Sequence, residues 1–408
     1  MPLVRPESVG LSSAQLAHID RHLEERYVRP GKISGCQTAV FRRGELAHHS
    51  VLGHRDLERE APTEEDTIYR IYSMTKPVTS VALMMLHEEA RFSLSDPVHR
   101  YLPEFRDLGV YEQGVHPNYV TRPCERAMTI RDVLTHQSGL TYGFQARTNV
   151  DAGYRKAKLG VDIHGPTLAD MMNGLAKIPL EFSPGTAWNY SVSTDVCGRL
   201  VEVLSGQSLD VFFQERIFAP LGMNDTSFSI PEEKFPRFAA NYEQAGNQSL
   251  RLIDDPMKSA WAGDVTLFSG GGGLLSTTSD YLRFCQMLLG DGTVNGTRLL
   301  GPKTLDLMTQ NHLEGGVDLA RASVGLFGET PYEGTGFGLG FSVILDPVTG
   351  QNVGSPGEYA WGGAASTIFW VDPAEELCVI FMTQLMPSRT FDFRGQLKSI
   401  VYGAILPD

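Results

Sequence analysis

Apolar residues recur every three or four positions from Ser12 to Tyr27, with Leu16, Ile19 and Leu23 on one face, and this spacing predicts an amphipathic helix. Two β-like runs follow, Gly35–Phe41 and Glu45–Leu52, joined at Arg42-Arg43-Gly44 in the manner of a hairpin. After a polar loop, the apolar run Val78–Leu86 predicts a buried helix. Asp96-Pro97 and Leu102-Pro103 then break the chain. Thr129 is placed to cap a helix Ile130–His136 that Ser138-Gly139 stops, and Val196–Leu204 and Leu209–Phe218 read as further helices. Beyond the glycine run 270–273 comes an apolar helix ending at Leu289. The C-terminal part turns to β, with strands expected at Gly338–Leu345, Ala364–Val371 and Leu377–Gln384, the last two joined by the breaker-rich turn 372–376. A helix Phe391–Ala404 closes the chain.

Strands at both ends with helices between predict an α+β fold, an antiparallel sheet built from the N- and C-terminal segments and flanked by helices. The expected division is a discontinuous sheet domain, 1–85 with 260–408, and a mostly helical domain, 86–259. Internal repeats and low-complexity segments are absent from the sequence.

Composition narrows the function. A hydrophobic content of 42% and a charged content of 20% are those of a soluble globular protein. The net charge of -13 argues against nucleic acid and anionic membranes as partners. The first residues, MPLVRPESVGLSSAQ, lack the apolar core of a signal peptide, and no apolar stretch approaches membrane-spanning length, so a cytoplasmic location is expected. The five cysteines are scattered, without a C-x-x-C pair, which predicts reduced thiols and neither a metal site nor a disulfide framework. No cofactor is expected, and nothing in the pattern speaks to the oligomeric state.

Ser73-Met74-Thr75-Lys76 is the one place where a lysine follows a serine by three positions, and it heads the Val78–Leu86 helix. Residues i and i+3 share a helix face, so the Lys76 amine can sit beside the Ser73 hydroxyl and help to take its proton. The helix N-terminus adds N–H groups where an oxyanion would form. Taken alone, the motif is equally met by a surface serine and lysine. Tyr190, just after the Ser183-Pro184-Gly185 turn, is a candidate general base, because a nearby ammonium favours phenolate. Gly362 and Gly363 would let the backbone approach a ligand, and Ala364 would have a free N–H. Each has a plain alternative: Tyr190 as a core tyrosine, Trp361 as packing for a turn. His136 is expected near a helix C-terminus and not as the base, Asp195 as a solvated or capping carboxylate, and Met84 and Met85 as core. The glycine run has no following Lys-Ser/Thr and is not a phosphate loop.

Ser73-Met74-Thr75-Lys76, Tyr190-Ser191-Val192 and Trp361-Gly362-Gly363, in this order, resemble the serine β-lactamase and penicillin-binding-protein superfamily, and more narrowly the class C-like family VIII carboxylesterases. Leu134–Leu140 (LTHQSGL), Phe182–Gly185 (FSPG) and Leu275–Asp280 (LSTTSD) support the likeness, which runs from about Gly10 to the C-terminus. The resemblance implies Ser73 as the acylated nucleophile, Lys76 and Tyr190 in proton transfer, the backbone N–H groups of Ser73 and Ala364 as oxyanion hole, and Trp361, Gly362 and Gly363 against the substrate. Two departures stand out. Lactamases carry Tyr-x-Asn where this chain has Val192, and Lys-Thr-Gly where it has Trp361. Loss of that amide and that cation favours small or aromatic neutral esters, hydrolysed through an acyl-enzyme, over anionic β-lactams. A β-lactamase or D-amino-acid peptidase, an acyltransferase using the same acyl-enzyme, and a catalytically dead scaffold are the competing readings.

Overall fold

The computed structural model describes residues 2–160, 162–246, 249–325 and 330–407. Its principal sheet has eight strands: β1 (Gly35–Arg42), β2 (Glu45–Asp56), β3 (Ala61–Pro62), β4 (Thr335–Phe337), β5 (Ser342–Ile344), β6 (Tyr359–Gly362), β7 (Ile368–Asp372) and β8 (Leu377–Thr383). Their order is β4-β5-β6-β7-β8-β1-β2-β3, every neighbouring pair antiparallel, so the chain's two ends meet where β1 pairs with β8. The fold is the expected α+β arrangement.

Alternate residues of a strand face opposite sides, and here both sides are covered. Cys36, Val40, Val379 and Phe381 pack under helices α1 (Ser13–Leu23) and α5 (Phe393–Tyr402), against Leu16, Ile19, Leu23, Leu397 and Val401. Ala39, Phe41, Cys378 and Ile380 face the larger core, shared with α2 (Thr75–Glu88), α3 (Ser193–Ser205) and α4 (Thr278–Leu289). Double coverage explains why β1 and β8 are buried along their whole length, Gln37, Thr38 and Arg42 of β1 included.

Several boundaries differ from the sequence reading, each for a local reason. The first helix is α-helical only to Leu23 and continues to Val28 as a wider π turn, and Leu209–Phe218 likewise changes to a π turn after Phe213. The run Gly338–Leu345 is a strand only at Ser342–Ile344; before it, Gly338 N–H donates to Phe341 O at 2.8 Å in a tight connection that separates β4 from β5. The strand expected from Ala364 starts only at Ile368. Gly363 N–H donates to Thr367 O at 2.7 Å and Ser366 N–H to Gly363 O at 3.0 Å, folding Ala364 into a turn. Among the pairings that went unread are the hairpin Gly109–Val115 with Asn118–Pro123, and the short strand Leu275–Thr277 against Ile68–Arg70. Among the described residues, no helix is long and apolar enough to cross a membrane. Cys36, Cys197, Cys285 and Cys378 are buried free thiols, and Cys124 is half-buried.

Candidate active site

The strand Ile68–Arg70 leads through one tight turn, Tyr72–Met74, into α2, and this junction carries Ser73. Its approach is anchored. The buried Arg70 guanidinium donates to Asp254 Oδ2 at 2.7 Å and Ala239 O at 2.5 Å and lies 3.9 Å over the Phe238 ring. Gln384 brackets the same residue, accepting from Arg70 N–H and donating to Arg70 O, both at 3.1 Å. Tyr72 bends the chain with φ +42°, a region that costs a bulky residue on the order of 1–3 kcal/mol. Its hydroxyl accepts from Asn241 Nδ2 at 3.0 Å, and its ring meets Trp261 edge-on, so neighbouring structure holds the strained residue in place.

The structure brings Ser73, Lys76 and Tyr190 together. Lys76 Nζ donates to Ser73 Oγ at 3.2 Å, and the Tyr190 hydroxyl lies 2.5 Å from the same oxygen. Lys76 Nζ also stands 4.5 Å from the Tyr190 ring centre and donates to Gly271 O at 2.6 Å. All three side chains are buried, Ser73 at 8% exposure retaining the most contact with solvent.

The Trp361–Gly363 segment arrives from β6. A Cβ on Gly363 would stand 2.3 Å from Ile71 O, so only glycine lets this turn close on the Ser73 junction. Ala364 follows in the turn, half-buried. The Trp361 indole is fully buried beneath Tyr190, with ring centres 5.5 Å apart, and packs edge-on to Phe337. Its N–H has no hydrogen-bond partner among the described residues. Val192 is buried as well.

His136 does not reach Ser73. Its ring packs 5.2 Å from Tyr190, and its Nδ1 accepts the Ser191 N–H at 3.3 Å. Burial first, and the Lys76 charge second, hold its pKa well below the usual imidazole value, so it is a neutral platform. A chain of hydroxyls, Ser191 to Ser193 and Ser193 to Ser138, each contact 2.7 Å, ties the Tyr190 loop to the segment carrying His136.

Asp195 corrects an expectation. It is neither solvated nor merely a cap: it is 2% exposed, and its Oδ1 accepts from Ser269 Oγ at 2.6 Å and from Gly271 N–H at 3.1 Å. Burial raises its carboxyl pKa, opposed by the Ser269 hydrogen bond and the Lys76 charge. Sequence reasoning also missed Gly271 and Tyr142, whose ring lies 5.2 Å from Lys76 Nζ. The available signal was the run of four glycines, which marks a close backbone approach.

Known proteins resemble this chain over most of its length. The sequence profile described as Beta-lactamase matches residues 21–400. An uncharacterised protein of Mycobacterium tuberculosis is 36% identical over 365 residues, 89% of this chain and 88% of that one. Esterase EstB of Burkholderia gladioli is 29% identical over 395 residues, 93% of each chain. Among solved structures, EstCE1, a hydrolase with promiscuous acyltransferase activity, has a TM-score of 0.80 at 25% identity, covering 96% of this chain and 99% of its own.

Proposed function

Because this chain belongs to the beta-lactamase family and is a serine hydrolase, we propose that it is a carboxylesterase hydrolysing small or aromatic neutral esters through an acyl-enzyme on Ser73. The observation that carries the reading is the placement of Lys76 Nζ and the Tyr190 hydroxyl within hydrogen-bonding reach of one serine oxygen. In this mechanism Ser73 Oγ attacks the ester carbonyl carbon while its proton passes to the Lys76–Tyr190 pair. The N–H groups of Ser73 and Ala364 receive the oxyanion. The alcohol leaves with the returned proton, and water repeats the sequence to release the acid. Residues 1–85 with 260–408 then form the sheet domain and 86–259 the helical domain. Ser73, Lys76 and the Trp361–Gly363 turn come from the first, and Tyr190 from the second.

Substrate class follows from what borders the turn. Trp361 supplies no cation, and Val192 supplies no amide. Arg394 approaches Gly362, reaching within 3.0 Å of where its Cβ would stand. Gly362 shares a strand face with Ala360, on the α5 side of the sheet, whereas Trp361 faces the larger core that holds α2, so that arginine lies on the opposite face of β6 from Trp361. A carboxylate left without a counter-charge in a partly desolvated site costs on the order of a few kcal/mol, which is two or more powers of ten in discrimination. Kinetics on p-nitrophenyl butyrate beside nitrocefin, with fluorophosphonate labelling to locate the reactive serine, test the reading. Butyrate turnover well above nitrocefin turnover is expected, and a β-lactam preferred over every ester would overturn it.

Transfer of the acyl group to an alcohol is the second reading. It is favoured by the acyltransferase activity reported in the name of the EstCE1 structure and by the common acyl-enzyme. Product analysis with an added alcohol separates it from hydrolysis.

A further inference from the structure

We infer that the aromatic-walled groove crossing Gly272 is the specificity site for a flat apolar group of the ester, making aryl esters the preferred substrates. The inference rests on the reading of Ser73 as the acylated serine and names the substrate class of that same site.

The argument begins with four consecutive glycines of which three are demanded by packing. A Cβ would stand 2.7 Å from Thr194 O at Gly270, 2.6 Å from Asp195 Oδ2 at Gly271 and 2.8 Å from the Phe228 ring at Gly273. Gly272 differs. Its φ lies outside the left-handed range, and a Cβ there would meet nothing nearer than Tyr72 C at 3.8 Å. Neither backbone conformation nor protein packing excludes a side chain at this half-buried position. The empty volume above it borders the residue next to Ser73.

Aromatic walls stand on both sides of that gap. On the Gly271 side, the Tyr142 hydroxyl is 2.9 Å from where the Gly271 Cβ would be, its ring is 5.2 Å from Tyr190, and Phe144 stacks on it at 4.6 Å and 20°. Phe144 is 57% exposed, so one wall continues outward from the site into solvent. On the Gly273 side, Trp261 Nε1–H donates to Gly273 O at 3.0 Å, and its ring meets Tyr72 edge-on at 5.6 Å. A floor without a side chain between aromatic residues suits a flat ring, which packs on other rings at centroid spacings of about 4.5–7 Å. The slot has a floor without a side chain and begins beside the Lys76–Gly271 contact. Its aromatic flanks favour a flat occupant.

Gly272→Leu fills the slot, and Gly272→Ala, whose single Cβ fits without displacement, guards against misfolding of the larger variant. The measurement is kcat/KM for 1-naphthyl acetate and methyl 1-naphthoate, each relative to vinyl acetate, with circular dichroism melting and fluorophosphonate labelling of Ser73 alongside. The wild type should favour at least one of the naphthyl esters over vinyl acetate by tenfold or more, and Gly272→Leu should reduce that ratio at least tenfold, with Trp261→Leu acting in the same direction. A fall confined to naphthyl acetate assigns the groove to the alcohol side, and one confined to methyl naphthoate to the acyl side. An unchanged ratio in a folded Gly272→Leu variant overturns the proposal, as does an equal loss on all three esters. Absence of phosphonate label at Ser73 in the wild type instead removes the esterase reading beneath it.

Discussion

Asp195 and Lys76 meet through a single residue: Asp195 Oδ1 accepts the Gly271 N–H at 3.1 Å, and the Gly271 carbonyl accepts Lys76 Nζ at 2.6 Å. The carboxylate thereby anchors the residue whose carbonyl holds the amine beside Ser73. Asp195→Asn keeps an acceptor oxygen, so kcat should stay within about tenfold of wild type. Asp195→Ala frees the peptide and should lower kcat by about 10²-fold with a smaller change in KM, on the scale of lost proton-transfer geometry. Because the folded-state pKa of Asp195 is raised, its ionisation costs stability that is lost progressively as pH rises from the unfolded value through the folded one. Asp195→Asn should therefore melt no lower than wild type at pH 8. Equal kcat in the Asn and Ala variants would remove the positioning role.

Ser73→Ala should abolish both ester turnover and phosphonate labelling while leaving the melting temperature close to wild type. Lys76→Met and Tyr190→Phe should each lower kcat by about 10²–10⁴-fold, and since both touch one oxygen their effects should not multiply in the double variant. Near-normal kcat in Tyr190→Phe would make Tyr190 a packing residue and send the search for the base elsewhere.

Gly363→Ala tests the closure of the β6 turn on the Ser73 junction. The added methyl would stand 2.3 Å from both Ile71 O and Thr367 Oγ1, contacts relieved only by moving backbone. Overpacking of this kind costs about 1–3 kcal/mol, and the displaced turn carries the Ala364 N–H assigned to the oxyanion. A fall in kcat larger than the fall in stability explains is expected, measured by steady-state kinetics beside urea unfolding. Unchanged kinetics would detach this turn from the chemistry.

His136 should leave its mark on acid stability. Its pKa is lowered in the folded protein, so the unfolded chain takes up a proton first, and the stability present above pH ~6.5 is lost as pH falls below it, by up to about 1.4 kcal/mol per pH unit for one proton. His49 and His312, also lowered chiefly by burial, add to the slope. His136→Asn suits the positive φ of 56° and retains an acceptor for the Ser191 N–H. It should flatten the profile between pH 6.5 and 5 by about one proton's worth. An identical slope in urea unfolding would show that His136 is not the group responsible.

Ser73, Lys76 and Tyr190 were legible because their chemistry is written in residue type and local spacing, and the sheet because β8 is an apolar run and Arg42-Arg43-Gly44 marks the turn between β1 and β2. Leu275–Thr277 was not, because three residues are too few to show alternation, and its partner Ile68–Arg70 is equally short. Asp195 was misread because its burial depends on Ser269 and Gly271, which only the tertiary fold brings to it. Trp361 was read by the charge it lacks. The structure adds that its indole packs under Tyr190, a contact between residues distant in sequence. The early start assigned to the β7 strand failed at Gly363–Ser366, where backbone hydrogen bonds favour a turn in a stretch with no proline to announce it.

The pairing of β1 with β8, Thr38 opposite Phe381, also sets a timetable for biosynthesis. A ribosome adding about 5–20 residues per second releases the β1–β2 hairpin tens of seconds before its central partner exists. Throughout that interval β1 presents an apolar, unpaired edge of the kind that recruits other strands. Chains stalled or cleaved before Leu377 would carry Ser73, Lys76 and Tyr190 yet lack the strand that joins the sheet's two halves. They should collect in the insoluble fraction, and holdase chaperones present during synthesis should raise the yield of active protein more than the same chaperones added after it.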